Sequence, residues 1–288
     1  KKEVDKVLAY LEKKKLVYLK DGALWFKSTK FGDDKDRVVI KADGEKTYFL
    51  SEIAYLKNKF KRNFDKLIVF LGAEHHGYIP RMKSAVKALG YSDRRLQPVI
   101  YQLVHLIEGG REIKMSKRTG TYITVDELLD EVGLDVARFF FLTRSYGHHL
   151  NFDLDLAKEE SERNPVYYVQ YAHARICSIL EKSKKQRIKV KVTASKLKLL
   201  SHPSELELMK QLVRLLEVIE DTTRDYQVHR FSQYAIDLAT SFHKFYRECR
   251  VISEDKVLTQ ARLALIQATK IVLKNTLNII GISSPTRM

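Results

Sequence analysis

The 288-residue sequence contains no apolar run long enough to span a bilayer and opens with no signal sequence, so a protein without a membrane segment, in the cytoplasm, is expected. Cysteine is nearly absent. Its two copies, Cys177 and Cys249, fall far apart inside helical patterns and form no Cys-x-x-Cys pair. That spacing indicates neither a zinc site nor a disulfide framework, and leaves two reduced, buried thiols. No glycine-rich phosphate loop and no internal repeat occurs. Acidic residues are in deficit: 36 Asp and Glu against 52 Lys and Arg give a net charge of +16. The imbalance favours a polyanionic partner, nucleic acid first; the plain alternative is a densely charged, solvated surface. The chain also lacks an initiator methionine and begins Lys1-Lys2-Glu3 within an amphipathic pattern, as expected for a fragment of a longer protein.

What is present divides into two styles of sequence. Hydrophobic residues make up 44% of the chain, ample for one large or two ordinary domains. Val4, Val7, Leu8 and Leu11 follow the spacing of a one-sided helix. Asp21-Gly22 and Asp43-Gly44 each sit between short apolar runs, predicting two hairpins, 16–20 with 23–27 and 37–41 with 46–50. Ser51 is placed to cap a helix to about Phe60. A strand over 66–71, a loop at 72–78, a helix to Leu89 with Pro80 in its first turn, and a strand over 99–106 complete an α/β pattern. Thr124-Val-Asp-Glu127 has the form of a capping box, Gly133 ends that helix, and 135–145 reads as a further helix whose Phe139-Phe140-Phe141 run belongs in a core. From Asp155 onward helical periodicity dominates, over roughly 155–182, 205–226, 230–249 and 255–280. Short connections make an antiparallel bundle the economical arrangement. Residues 182–200 are the exception, with eight Lys or Arg and no acid, and read as a basic connection. The fold class is therefore α/β followed by all-α, with the boundary near residue 150.

The stretch that carries chemistry is Ile113-Lys114-Met115-Ser116-Lys117-Arg118-Thr119-Gly120, which follows a Gly109-Gly110 turn and a short return strand. Lysine ammonium groups are compact charges on flexible stems, suited to the charge that builds on a departing pyrophosphate. A solvated basic turn is the alternative. Lys-Met-Ser-Lys resembles the second signature of class I aminoacyl-tRNA synthetases. Three other stretches resemble one branch of them, the arginyl-tRNA synthetases: Thr47-Tyr-Phe-Leu-Ser-Glu-Ile-Ala-Tyr55, Gly72-Ala-Glu-His-His-Gly-Tyr-Ile-Pro-Arg81, and Phe152-Asp-Leu-Asp-Leu-Ala through Asn164-Pro-Val-Tyr-Tyr-Val-Gln-Tyr-Ala-His-Ala-Arg175. The likeness runs in the same order from the first residue to Arg287-Met288.

The resemblance implies the second half of a class I Rossmann-like catalytic domain over 1–150, including the end of a connective insertion. A helical anticodon-binding domain is implied over 151–288. It implies ATP with Mg2+, L-arginine and an arginine-accepting tRNA as partners of a monomeric arginine–tRNA ligase. Lys114 and Lys117 would meet the leaving pyrophosphate, with Met115 and Ser116 shaping the loop. Tyr48 and Glu52, four apart, offer a phenol and a carboxylate fork to a guanidinium, and the family's arginine-binding pair falls on them. Glutamate stands where aspartate is usual, and Leu56 where histidine is common. A first-turn glutamate favoured by the helix dipole is the alternative. Glu74, His75 and His76 lack the third ligand that a metal would need; the resemblance sets this loop beside the adenylate. Tyr168, Tyr171 and Arg175 share a helix face fit to stack on splayed bases, and Met288 joins them by resemblance. The alternative is tyrosines packed in a bundle with hydroxyls at its rim. The family's first signature, His-x-Gly-His, does not occur in these 288 residues. A non-catalytic tRNA-binding module is therefore the rival reading. The cysteinyl branch is disfavoured by the lack of zinc ligands.

Overall fold

The computed structural model describes residues 2–113, 123–188, 190 and 193–288. The chain packs as two compact units, Lys1–Leu103 and Val104–Met288, each with its own apolar core.

In the first unit, α1 (Lys2–Lys13) buries Val7 and Leu11, as its spacing requires. β1 (Val17–Lys20), β2 (Ala23–Phe26) and β3 (Arg37–Ile40) form an antiparallel sheet in that order. Asp21 and Gly22, at φ 50° and 71°, make the left-handed two-residue turn that their identity predicts. The second expected hairpin does not extend. A single bridge, Ile40 with Lys46, closes around Asp43-Gly44, and α2 (Tyr48–Lys61) then begins. Residues 46–50 follow the Asp43-Gly44 turn signal and carry β-favouring Thr47, Tyr48 and Phe49, but Phe49, Leu50, Ile53, Leu56 and Phe60 make a helical stripe, and burial of all five decides the outcome. The residue before the helix is Thr47, not Ser51. Its hydroxyl donates to the carbonyl of Val38 at 3.0 Å and so ends the ladder, leaving Ser51 inside the first turn. β4 (Leu67–Gly72) leads through a 3-10 turn over Ala73–Tyr78 into α3 (Ile79–Ala88), and β5 (Leu96–Tyr101) pairs parallel with β4.

The strand expected over 99–106 is two strands in two sheets. β5 stops at Tyr101, and β6 (Val104–Glu108) starts the second unit. β6 pairs with β7 (Arg111–Glu112) and, in parallel, with β8 (Leu150–Asp153). Between them lie α4 (Val125–Val132), opened by the Thr124–Glu127 capping box, and α5 (Leu134–Phe141). Phe139 and Phe140 are buried, whereas Phe141 is partly exposed. The helix expected over 155–182 is broken. α6 (Leu154–Lys158) ends early, and Asn164 caps α7 (Pro165–Lys185) by accepting from the Val166 and Tyr167 amides. α8 (Ala194–Leu197) is a single turn; α9 (Pro203–Asp225), α10 (His229–Glu248) and α11 (Lys256–Ile279) follow. α10 presents Phe231, Ala235, Leu238, Phe242 and Phe245 to α7, α9 and α11, and all five are buried. This packing draws β8 and β6 into the helical unit, so the division by packing lies ahead of the change to helical sequence near 150. Cys249 is buried as expected, but Cys177 is only half-buried.

Candidate functional site

Two groups of side chains stand out, one in each unit. In the first unit β4 and β5 end side by side at Gly72 and Tyr101, and the Ala73–Tyr78 turn rises from that edge. Ligands of open α/β sheets bind outside the carboxyl ends of the strands. Glu74, His75 and His76 are exposed there, with His75 Nε2 3.5 Å from Glu74 Oε1. Tyr48, 76% exposed, opens α2, and Glu52 is half-buried one turn later. Among the described residues no side chain pairs with the Glu52 carboxylate. Burial pushes its pKa up, and the charge of Lys59 opposes this only in part.

Tyr78 completes the group. Burial first, then the Glu52 charge, raises its phenol to about 12, with a smaller push from Tyr48. Among the described residues its hydroxyl and the Nε of Arg81 are both buried with no partner at hydrogen-bond geometry. The Arg81 guanidinium lies 4.7 Å over the Tyr78 ring, and that ring meets Phe49 edge-on at 6.3 Å. The site therefore combines a desolvated carboxylate, two phenols and orphaned donors. The Glu52 carboxylate and the two phenol oxygens can accept from a cationic ligand, whereas the Arg81 N–H needs an acceptor, which a cation alone does not offer. Tyr78 and Arg81 were not among the residues expected from sequence. Their signal was the Gly72–Arg81 stretch itself, whose last two polar side chains fold back onto α2.

Lys114, Met115, Ser116 and Lys117 lie outside the described residues. What flanks them is held firmly. The β6–β7 turn runs through Gly109 and Gly110 at φ 56° and 72°. The Gly109 amide donates to Asp155 Oδ2 at 2.7 Å, and Ile113 donates to Leu106 at 2.8 Å. Lys158 stands 2.5 Å from Glu131 on α4 and 3.4 Å from Glu108 on β6, tying the strand before the lysine stretch to the helix after it.

In the second unit the expected face of α7 gains partners from α10. The Arg175 guanidinium donates to the Tyr171 hydroxyl and lies 4.6 Å over the Tyr171 ring and 4.9 Å over that of Tyr246. His243 sits between two tyrosines, its ring 4.7 Å from Tyr168 and 6.1 Å from Tyr171. Burial pushes the His243 pKa down, and Arg175 adds to this, so a neutral ring spaces the tyrosines. Tyr168 is turned inward, its hydroxyl donating to Thr240 at 3.3 Å. Tyr171, Arg175 and Met288 instead line one open cleft of about 640 Å³, with Tyr246, Lys182 and Lys185 on its other walls. His243 and Tyr246 lie far along the chain from Tyr171 and Arg175, beyond the reach of local patterns.

Two family models match the chain. One describes the catalytic domain of class I tRNA synthetases (R), over residues 1–141; the other describes the DALR anticodon binding domain, over residues 169–288. The arginine–tRNA ligase of Moorella thermoacetica is 49% identical over 286 residues, which is 99% of this chain and 51% of that protein. That of Listeria welshimeri is 50% identical over 290 residues, 99% of this chain and 52% of its own length. The chain belongs to the arginyl-tRNA synthetase family. It spans about half the length of the curated relatives it matches. The fold agrees: a Campylobacter jejuni structure provisionally assigned to this family aligns with TM-score 0.88 at 32% identity, over all of this chain and 62% of that one. The arginyl-tRNA synthetase of Thermus thermophilus aligns with TM-score 0.83 at 22% identity, over 99% of this chain and 58% of that one. Tyr48, Glu52, Tyr78 and Lys114–Lys117 fall within the catalytic match to this family. Tyr171, Arg175 and Met288 fall within the anticodon-binding match, and Tyr168 just precedes it.

Proposed function

We propose that the protein of which these residues are part is an arginine–tRNA ligase. The carrying observation is the half-buried, unpaired Glu52 carboxylate beside Tyr48 and Tyr78. In this reading residues 1–150 are the second half of a Rossmann-like catalytic domain and 151–288 an antiparallel helical domain for the anticodon region. The parallel β4–β5 pair and the helical periodicity after Asp155 support it.

Glu52 accepts the arginine guanidinium, and the phenols of Tyr48 and Tyr78 close the cradle around it. That holds the substrate carboxylate for attack on the α-phosphate of ATP. Glu74, His75 and His76, exposed at the strand ends, offer hydrogen bonds to the nucleotide. Mg2+ would accompany ATP, because the phosphate charge must be neutralised. Lys114 and Lys117 neutralise the departing pyrophosphate, a charge that exists only once the bond breaks. The arginyl group then passes to the tRNA held at Tyr171, Arg175 and Met288, the members of the expected face that line the cleft. The absence of His-x-Gly-His from these 288 residues favours a second reading for the piece alone, a tRNA-binding module.

Glu52→Gln tests the first reading. Removing one partner of a desolvated charge pair costs roughly 2–5 kcal/mol. Arginine-dependent pyrophosphate exchange by the full-length enzyme should therefore need about thirty-fold or more additional arginine at unchanged ATP requirement. Unaltered arginine kinetics would remove Glu52 from the pocket.

A further inference from the structure

The segment after α11 is ordered in a way that burial does not explain. Gly281 and Ile282 close α11 with a Schellman motif: Gly281, at φ 69°, donates to Asn278, and Ile282 donates to Leu277 at 2.9 Å. Ile282 enters the core. Beyond it, residues 283–288 are exposed or half-exposed, with little apolar burial to hold them. Here a set of polar groups holds it. Asp135, in the first turn of α5, accepts from the Ser283 amide at 3.2 Å and from the Ser283 hydroxyl. Gln170 on α7 donates to the same carboxylate at 2.8 Å and to the Ser283 carbonyl at 3.2 Å. Arg138 donates to the Gly281 carbonyl. His173, only 1% exposed, donates from Nδ1 to the Pro285 carbonyl at 2.8 Å.

The consequence is where the segment delivers its end. Met288, 52% exposed, lines the cleft that also holds Tyr171 and Arg175. Gln170 and His173 stand on α7 beside those two residues, so one helix carries both the anchor and the face. We propose that Asp135, together with Gln170 and with His173 acting separately on Pro285, is a positioning residue that seats 283–288 so that Met288 completes the tRNA-contacting face. This rests on the reading of that face as an RNA site. A carboxylate on an element matched to the catalytic model thus sets the shape of a surface matched to the anticodon-binding one.

The experiment is a double-mutant cycle on the 288-residue chain. Asp135→Ala, Met288→Ala and the double variant are titrated with an arginine-accepting tRNA, while amide exchange follows Ser283. Gln170→Leu serves as a second anchor variant should Asp135→Ala fold poorly. Asp135→Asn, which keeps an acceptor for the Ser283 amide, should restore part of the loss. The expected result is faster Ser283 exchange in Asp135→Ala, and weaker tRNA binding by about five- to tenfold, the scale of one lost stacking contact. The double variant should bind no more weakly than Met288→Ala alone, because both changes remove one interaction. Additive losses, or unchanged Ser283 exchange, would overturn the proposal. If Ser283 is released in Asp135→Ala while neither single variant alters tRNA binding, it is the RNA reading of Met288 that fails, not the seating of the segment.

Discussion

The two groups of functional side chains are built on opposite plans. Around Glu52 the polar groups lack partners among the described residues: an unpaired carboxylate, and a phenol and a guanidinium nitrogen buried without hydrogen bonds. Around Tyr171 they largely satisfy one another, with Arg175 bonded to the hydroxyl and stacked between two rings. On the proposed reading the contrast follows from ligand size. A small cation can donate only to acceptors, so on that reading the Glu52 carboxylate and the phenol oxygens are left open for it, and this is where binding energy resides. Splayed bases exchange one stack for another, so their platform is preassembled from aromatic and guanidinium planes. An incomplete pocket discriminates sharply, whereas a satisfied platform mainly orients.

That difference sets the scale of what should follow from mutation. The largest effect tied to the platform is expected for Tyr171→Ala, which removes a ring and strands Arg175. Base stacking on an aromatic is worth roughly 1–3 kcal/mol, so affinity for an arginine-accepting tRNA should fall about five- to a hundred-fold. An unrelated duplex, held by backbone charge alone, should be affected much less. Equal losses on both in filter-binding titrations at fixed salt would make Tyr171 a structural residue and erase the contrast between the two sites.

A smaller effect separates the units by acid. His173, His229 and His243, all in the second unit, have pKa values lowered chiefly by burial. The fold holds them neutral, so the stability they confer is present above the unfolded value near 6.5 and drains as pH falls below it. The first unit behaves otherwise. Burial alone would raise Asp33 and Asp36, yet hydrogen bonds from Arg37 to one and from Thr29 to the other hold both below the ordinary value of 3.8, so their contribution persists to far lower pH. Glu52, raised, acts in the opposite sense and disfavours the fold only as pH rises through its titration. The single tryptophan, Trp25 on β2, reports the first unit, and far-UV circular dichroism is dominated by the helices of the second. Between pH 7 and pH 5 the dichroism midpoint in urea should move to lower urea while the Trp25 midpoint holds. A Trp25 transition that shifts first would show the histidines to be irrelevant.

Features set by neighbouring residues were legible in the sequence. The Asp21-Gly22 turn, the Thr124–Glu127 capping box and the Gly133 stop each depend on fewer than five residues, and each is found where it was expected. Tyr48 and Glu52 were legible as a pair because they sit one helical turn apart. What escaped was set at a distance. Nothing local distinguishes 99–106 from a single strand, because the break at Gln102-Leu103 exists only where the chain passes from one core to the next. Residues 46–50 follow a turn signal and are rich in β-favouring side chains, and only the buried stripe through Phe60 overrides them. Tyr78 and Arg81 reach the Glu52 region by folding of a loop, and His243 and Tyr246 reach α7 by packing of α10. A period read along one element cannot report which other element will face it.

The central claim is that Glu52 is a carboxylate waiting for a guanidinium, and its own titration answers this most directly. Side-chain carboxyl carbons of the labelled 288-residue chain can be followed by NMR across acid pH, with and without saturating L-arginine. Without arginine the Glu52 carboxyl should titrate above the ordinary glutamate value of 4.5, as its burial dictates. With arginine bound, the guanidinium favours the ionised form, so the titration should move to lower pH and arginine affinity should weaken as Glu52 protonates. A Glu52 titration that arginine leaves in place would contradict the account.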